Sequence, residues 1–104
     1  MIRVVLVDDQ ALVREGLRAL LERTDDIVVV GEADDGDDGV LMVAATAPDV
    51  VLMDIRMPGT DGIAATRRII DDPALSQVHV VVLTTFDTDD NVLDTIRAGA
   101  SASS

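Results

Sequence analysis

Two adjacent acids close the first apolar run of this chain, Asp8 and Asp9 after Val4-Val5-Leu6-Val7. A third acid, Asp54, closes another such run, Val50-Val51-Leu52-Met53. If the two runs are neighbouring parallel strands, three carboxylates meet at one edge of a sheet. Like charges in such a place repel and are costly to desolvate, so they require compensation. A hard divalent cation supplies it, and an oxygen-rich site of a few carboxylates suits Mg²⁺.

Elements able to place the acids in this way are legible in the pattern of apolar residues. The strand candidates are Ile2–Val7, Ile27–Gly31, Val50–Met53 and Val78–Thr84, each rich in Val, Ile or Leu over consecutive positions. Continuous apolar runs are what strands covered on both faces require. Between them lie helical patterns. The first runs from about Ala11 to Arg23, with Val13, Leu17, Leu20 and Leu21 inward, and Arg18 and Glu22 spaced to pair. A second runs from about Asp37 to Ala47, with Val40, Val43, Ala44 and Ala47 on one stripe and Pro48 ending it. A third begins near Asp61-Gly62 and points Ile63, Thr66 and Ile70 inward before Pro73. The fourth spans about Thr88 to Ala98, with Thr88 as N-cap and Gly99 as the stop. Alternation of this kind predicts an α/β domain with a mostly parallel sheet. In such sheets functional groups gather at the carboxyl ends of strands, where Asp8, Asp9, Asp54 and Thr84 all fall.

Composition narrows the function. A chain of 104 residues is one domain, and its core must be aliphatic, because Phe86 is the only aromatic residue. The formal net charge is −12, which argues against nucleic acid or an anionic membrane as a direct partner of this segment. No apolar stretch approaches the ~20 residues needed to span a bilayer, and no signal-peptide pattern opens the chain. The absence of Cys fits a cytoplasmic protein. All eight cationic side chains are Arg, and there is no Lys.

Four strings together resemble the receiver domain of a two-component response regulator. They are Val7-Asp8-Asp9-Gln10, the run from Leu52 to Gly62 (Asp-x-x-Met-Pro-x-x-Asp-Gly from Asp54), Leu83-Thr84-Thr85, and Ala98-Gly99-Ala100-Ser101. Val13-Arg14-Glu15-Gly16-Leu17 and Phe86 resemble the subfamily with a C-terminal LuxR-type helix-turn-helix domain, of which nothing is present here. The resemblance implies a flavodoxin-like (CheY-like) doubly wound parallel sheet, in the order 2-1-3-4 for the strands present. It implies that Asp54 is the phosphoacceptor for a sensor histidine kinase, and that Mg²⁺ is held by Asp8, Asp9, Asp54 and the main-chain carbonyl of Arg56. Thr84 would donate its hydroxyl to a phosphoryl oxygen. The implied role is a phosphoacceptor controlling a DNA-binding output domain, not a turnover enzyme.

The match runs from Met1 to about Ser101, and residues 102–104 read as a disordered or foreign tail. The family pattern continues into a fifth strand ending in Lys and a fifth helix, with no counterpart here. The expectation is therefore a truncated domain with metal binding retained and phosphorylation slow. Its fourth strand would be an exposed edge prone to self-association, by pairing or by exchange of elements. Each residue also has a plainer reading. Asp8-Asp9 could cap a helix, Asp54 could be a solvated acid, and Thr84 an ordinary strand residue. Two rival functions follow. An aspartyl-phosphate hydrolase needs an acid two residues after its nucleophile, where Arg56 stands. A phosphorylation-independent interaction or dimerisation module would need none of the chemistry, and the missing Lys favours it.

Overall fold

In the computed structural model, which describes residues 1–54, 62–83 and 89–102, strands and helices alternate along the chain. The order is β1 (Ile2–Val7), α1 (Ala11–Glu22), β2 (Ile27–Ala33), α2 (Gly36–Thr46), β3 (Val50–Asp54), α3 (Gly62–Ile70), a 3-10 turn (Pro73–Leu75), β4 (His79–Leu83) and α4 (Asp89–Ala102). All strand pairs are parallel, in the order β2-β1-β3-β4. This is the doubly wound, flavodoxin-like sheet that the sequence implies.

Side-chain alternation along the strands divides the core into two layers. Val5, Val7, Val51 and Met53 face α2 and α3, packing with Val43, Ala65 and Ile69. Val4, Leu6, Val50 and Leu52 face α1 and α4, packing with Leu21, Val92 and Ile96. Burial on both faces explains why β1 and β3 are almost unbroken Val and Leu. The helices α1 and α4 thus share one face of the sheet, and Arg97 of α4 reaches Asp26, just before β2, at 3.0 and 3.2 Å.

Three helical expectations need correction. In α3 the buried residues are Gly62, Ala65 and Ile69, whereas Ile63 and Ile70 are 57% and 66% exposed. The buried stripe lies one residue earlier than expected, because small Gly62 and Ala65 allow the closer approach to the sheet. In α1 and α2 the buried stripes are narrower than expected. Val13, Ala44 and Ala47 are exposed, and Leu21 and Val43 are the large side chains buried outright. Finally, α4 does not stop at Gly99 but continues to Ala102. Gly99 lies over Val50, His79 and Val81, so helix–sheet packing outweighs its weak helix propensity. The expected N-cap, Thr88, lies outside the described residues.

Two local features set the carboxyl edge of the sheet. The register of β1 on β2 slips by one residue between Val4 and Val5, so that Leu6 faces Glu32 and Val7 faces Ala33. A bulge re-aims every later side chain of its strand. Ala33 therefore turns toward α2, and Glu32 toward α1. At the start of α2, a Cβ on Gly39 would lie 3.0 Å from both methyls of Val7. Glycine there lets the helix sit directly on the last residue of β1.

Candidate acidic site at the strand ends

Asp8 follows β1 immediately, and its N–H donates to the carbonyl of Ala33 at 3.1 Å, extending the β1–β2 ladder by one bond. Its Oδ1 accepts the N–H of Gln10 at 2.8 Å, a turn that leads into α1. Asp54 ends β3. Since Val7 pairs with Met53, Asp8 and Asp54 stand abreast on adjacent strands. Asp8 is 7% exposed, Asp54 is half-buried and Asp9 is exposed. One carboxylate oxygen from each of Asp8, Asp9 and Asp54 lies within 4.8 Å of the others.

Electrostatics at this point are unfavourable for the protein alone. Burial, then the charges of Asp54 and Asp9, push the Asp8 carboxyl above its usual range. The Gln10 N–H and the Arg14 guanidinium oppose that rise. Three converging carboxylate oxygens, one of them from a buried acid, are the donor set a hard cation fits.

The structure thus brings together three of the residues singled out from the sequence. Arg56 and Thr84 lie outside the described residues. The sequence did not single out Arg14 as a neighbour of the site. Its Nη1 donates to the Asp8 carbonyl at 2.5 Å, and its Nε lies 3.3 Å from Oε1 of Glu32. The available signal was position alone: Arg14 lies one turn inside the helix that follows the acids.

A second trio, Asp34, Asp35 and Asp38, also converges within 4.8 Å. Asp35 caps α2 there, accepting the Asp38 N–H at 2.7 Å, and the Asp35 charge holds the Asp38 carboxyl above its usual range. A groove of about 620 Å³ runs beside β2 along Arg14, Glu32, Asp34 and Asp38 rather than over the three strand-end acids. A site for a cation and a small transferred group needs no deep pocket, so the groove and the acids are separate features. Arg68 of the basic pair at Arg67-Arg68 bonds Asp37 at 2.7 Å, both side chains being mostly exposed.

Parallel strand order and clustered acids at the strand ends are joined by one further observation: residues 4–103 match the model of the response regulator receiver domain. The chain belongs to that family. The transcriptional regulatory protein LiaR of Bacillus subtilis is 51% identical over 100 residues, which cover 96% of this chain and 46% of LiaR. Response regulator UvrY of Escherichia coli K12 is 45% identical over 101 residues, 97% of this chain and 45% of UvrY. This receiver domain therefore spans about half the length of the curated relatives it matches. Among solved structures, the signal receiver domain of the putative response regulator NarL from Mycobacterium tuberculosis superposes with a TM-score of 0.79 at 30% identity, over 96% of each chain. A LuxR-family two-component response regulator from Aurantimonas sp. SI85-9A1 gives 0.86 at 28%, covering 98% of this chain and 86% of that one.

Proposed function

We propose that this receiver domain accepts a phosphoryl group on Asp54 from a sensor histidine kinase, with Mg²⁺ bound by Asp8, Asp9, Asp54 and the carbonyl of Arg56. The supporting observation is the convergence of the three carboxylates within 4.8 Å at the ends of β1 and β3. An Asp54 oxygen attacks phosphorus, the phosphorus–nitrogen bond of the phosphohistidine breaks, and the imidazole leaves with its electron pair and takes up a proton. The product is an acyl phosphate on Asp54. Mg²⁺ bound there would supply charge neutralisation for the phosphoryl oxygens. Asp8, held by the Gln10 and Ala33 backbone bonds, would hold the cation beside Asp54. Thr84 donates its hydroxyl to a phosphoryl oxygen. On this reading the domain is a substrate of phosphotransfer rather than a turnover enzyme.

The parent protein is proposed to be a cytoplasmic transcriptional regulator, since the relatives named above as regulators are about twice as long as the matched segment. The segment itself is proposed to make no direct contact with nucleic acid or membrane. We further propose self-association through β4. Among the described residues β4 pairs only with β3, and Val82, Ile63 and Ile70 are exposed beside it.

Acetyl phosphate with Mg²⁺, read by intact mass under acid conditions, tests the main reading. One phosphoryl adduct is expected, lost with chelator and absent from Asp54→Asn. With no Lys to pair with the phosphoryl group, adduct formation is expected to be slow. An undiminished adduct in Asp54→Asn would refute the assignment. Sedimentation over a range of concentrations tests association, and a strictly monomeric species at the highest concentration refutes it.

A further inference from the structure

The backbone of Asp8 is tied through both its N–H and its carbonyl to the same strand. Its N–H reaches the Ala33 carbonyl of β2 directly, at 3.1 Å. Its carbonyl accepts Arg14 Nη1 at 2.5 Å, and Arg14 Nε in turn lies 3.3 Å from Glu32, the β2 residue before Ala33. Glu32 is itself held from its other side, its Oε2 accepting from Arg18 Nη1. The Arg14 and Glu32 side chains are only 19% and 28% exposed, so this pair is better shielded than an ordinary surface ion pair. It also depends on the bulge in β2, without which Glu32 would point to the opposite face of the sheet.

The carbonyl of Asp8 belongs to the peptide unit that joins Asp8 to Asp9. A peptide unit is planar, so fixing its oxygen fixes the direction in which the Asp9 Cα departs. Asp9 is exposed, so its direction depends on the backbone that carries it. We propose that Arg14, anchored by Glu32, is a positioning residue of the acidic site. By gripping the Asp8 carbonyl it fixes the Asp8–Asp9 peptide plane and so aims the Asp9 carboxylate at Asp8 and Asp54. The proposal rests on the reading that these three acids bind a divalent cation.

Charge and positioning make opposite demands here, and that makes the test sharp. If Arg14 acted only through its positive charge, removing it would tighten Mg²⁺ binding, because the site would become more negative. If it positions, removing it weakens binding. The experiment is calorimetric Mg²⁺ titration of the full 104-residue chain at fixed pH and ionic strength. It compares wild type with Arg14→Gln, Arg14→Lys and Arg18→Gln. The last variant makes the same charge change beside the same Glu32 but has no bond to Asp8. Arg14→Gln is expected to weaken binding about 10–100-fold, as losses of groups that orient metal ligands do. Arg14→Lys should recover part of the loss, and Arg18→Gln should change affinity less than about threefold.

A readout without metal accompanies the titration. Exchange of the Gln10 amide, which bonds Asp8 Oδ1, should accelerate in Arg14→Gln relative to the amides of β1, and stay unchanged in Arg18→Gln. Mg²⁺ binding in Arg14→Gln as tight as wild type or tighter overturns the proposal, as does an unaltered Gln10 amide. If wild type takes up no Mg²⁺, the cation reading fails while the Gln10 amide still decides the role of Arg14. Should Arg14→Gln not fold, Glu32→Gln loosens the anchor instead, with Glu22→Gln as the control of equal charge change. Faster Gln10 exchange in Glu32→Gln alone supports the proposal, and equal behaviour of the two overturns it.

Discussion

Replacing Asp8 by Asn should stabilise this domain at neutral pH in the absence of divalent cations. At the 4.8 Å that bounds the carboxylate oxygens, two unit charges repel by about 0.9 kcal/mol in bulk water and about 3.5 kcal/mol at an effective dielectric constant of 20. Asp8 takes part in two such pairs, with Asp54 and with Asp9. Asp9 is exposed and its repulsion is screened, and Asn accepts the Gln10 N–H less strongly than a carboxylate does. After both discounts the expected net gain is about 1–3 kcal/mol, an upward shift in Tm of roughly 5–15 °C for a domain of this size.

The pH dependence follows from the raised Asp8 pKa. Below the ordinary value of 3.8 both the folded and the unfolded state carry a protonated Asp8, and the variant has no charge advantage. As pH rises, the unfolded chain loses the proton first and the folded chain holds it longer, so wild-type stability falls relative to the variant. The gain is therefore absent below pH 3.8 and fully developed once pH exceeds the raised folded-state value. Saturating Mg²⁺ should narrow or reverse it, because a cation at a hundred times its Kd stabilises the wild type by about 2.7 kcal/mol. Urea unfolding at pH 7 and pH 3.5, with and without Mg²⁺, measures all of this. A variant less stable than wild type at pH 7 without metal, or a gain undiminished at pH 3.5, would refute the reasoning.

Two further outcomes check the fold. Ile69→Ala should cost about 2–5 kcal/mol, since Ile69 is fully buried, whereas Ile70→Gln should fall within about 0.5 kcal/mol of wild type; thermal unfolding of the pair decides which isoleucine of α3 faces the sheet. Gly16→Ala should stabilise by about 0.5–1 kcal/mol, because a Cβ there meets nothing within 4 Å inside α1. Gly39→Ala should forfeit the same helical gain, since its methyl would press on Val7 beside the acids, and its unfolding midpoint should lie below that of Gly16→Ala.

What the sequence disclosed and what it hid divide along a physical line. Strands buried on both faces leave a composition signal, and acids that end them inherit their position, so Asp8, Asp9 and Asp54 could be placed together from the runs before them. Which stripe of a helix is buried depends on fit against the sheet. In α3 the isoleucines at 63 and 70 match the spacing of an apolar stripe, yet the small residues Gly62 and Ala65 occupy the interface. Packing also outweighed Gly99 as a stop signal, and no periodicity announces that α4 shares its face of the sheet with α1. Arg14 and Glu32 were hidden for a related reason. They are 18 positions apart in sequence, and what joins them is a one-residue slip in the pairing of β1 with β2 that no run of apolar residues reveals. Contacts created by register are therefore where this chain departs from what its pattern shows, and the Glu32 anchor behind the grip on the Asp8 carbonyl is one of them.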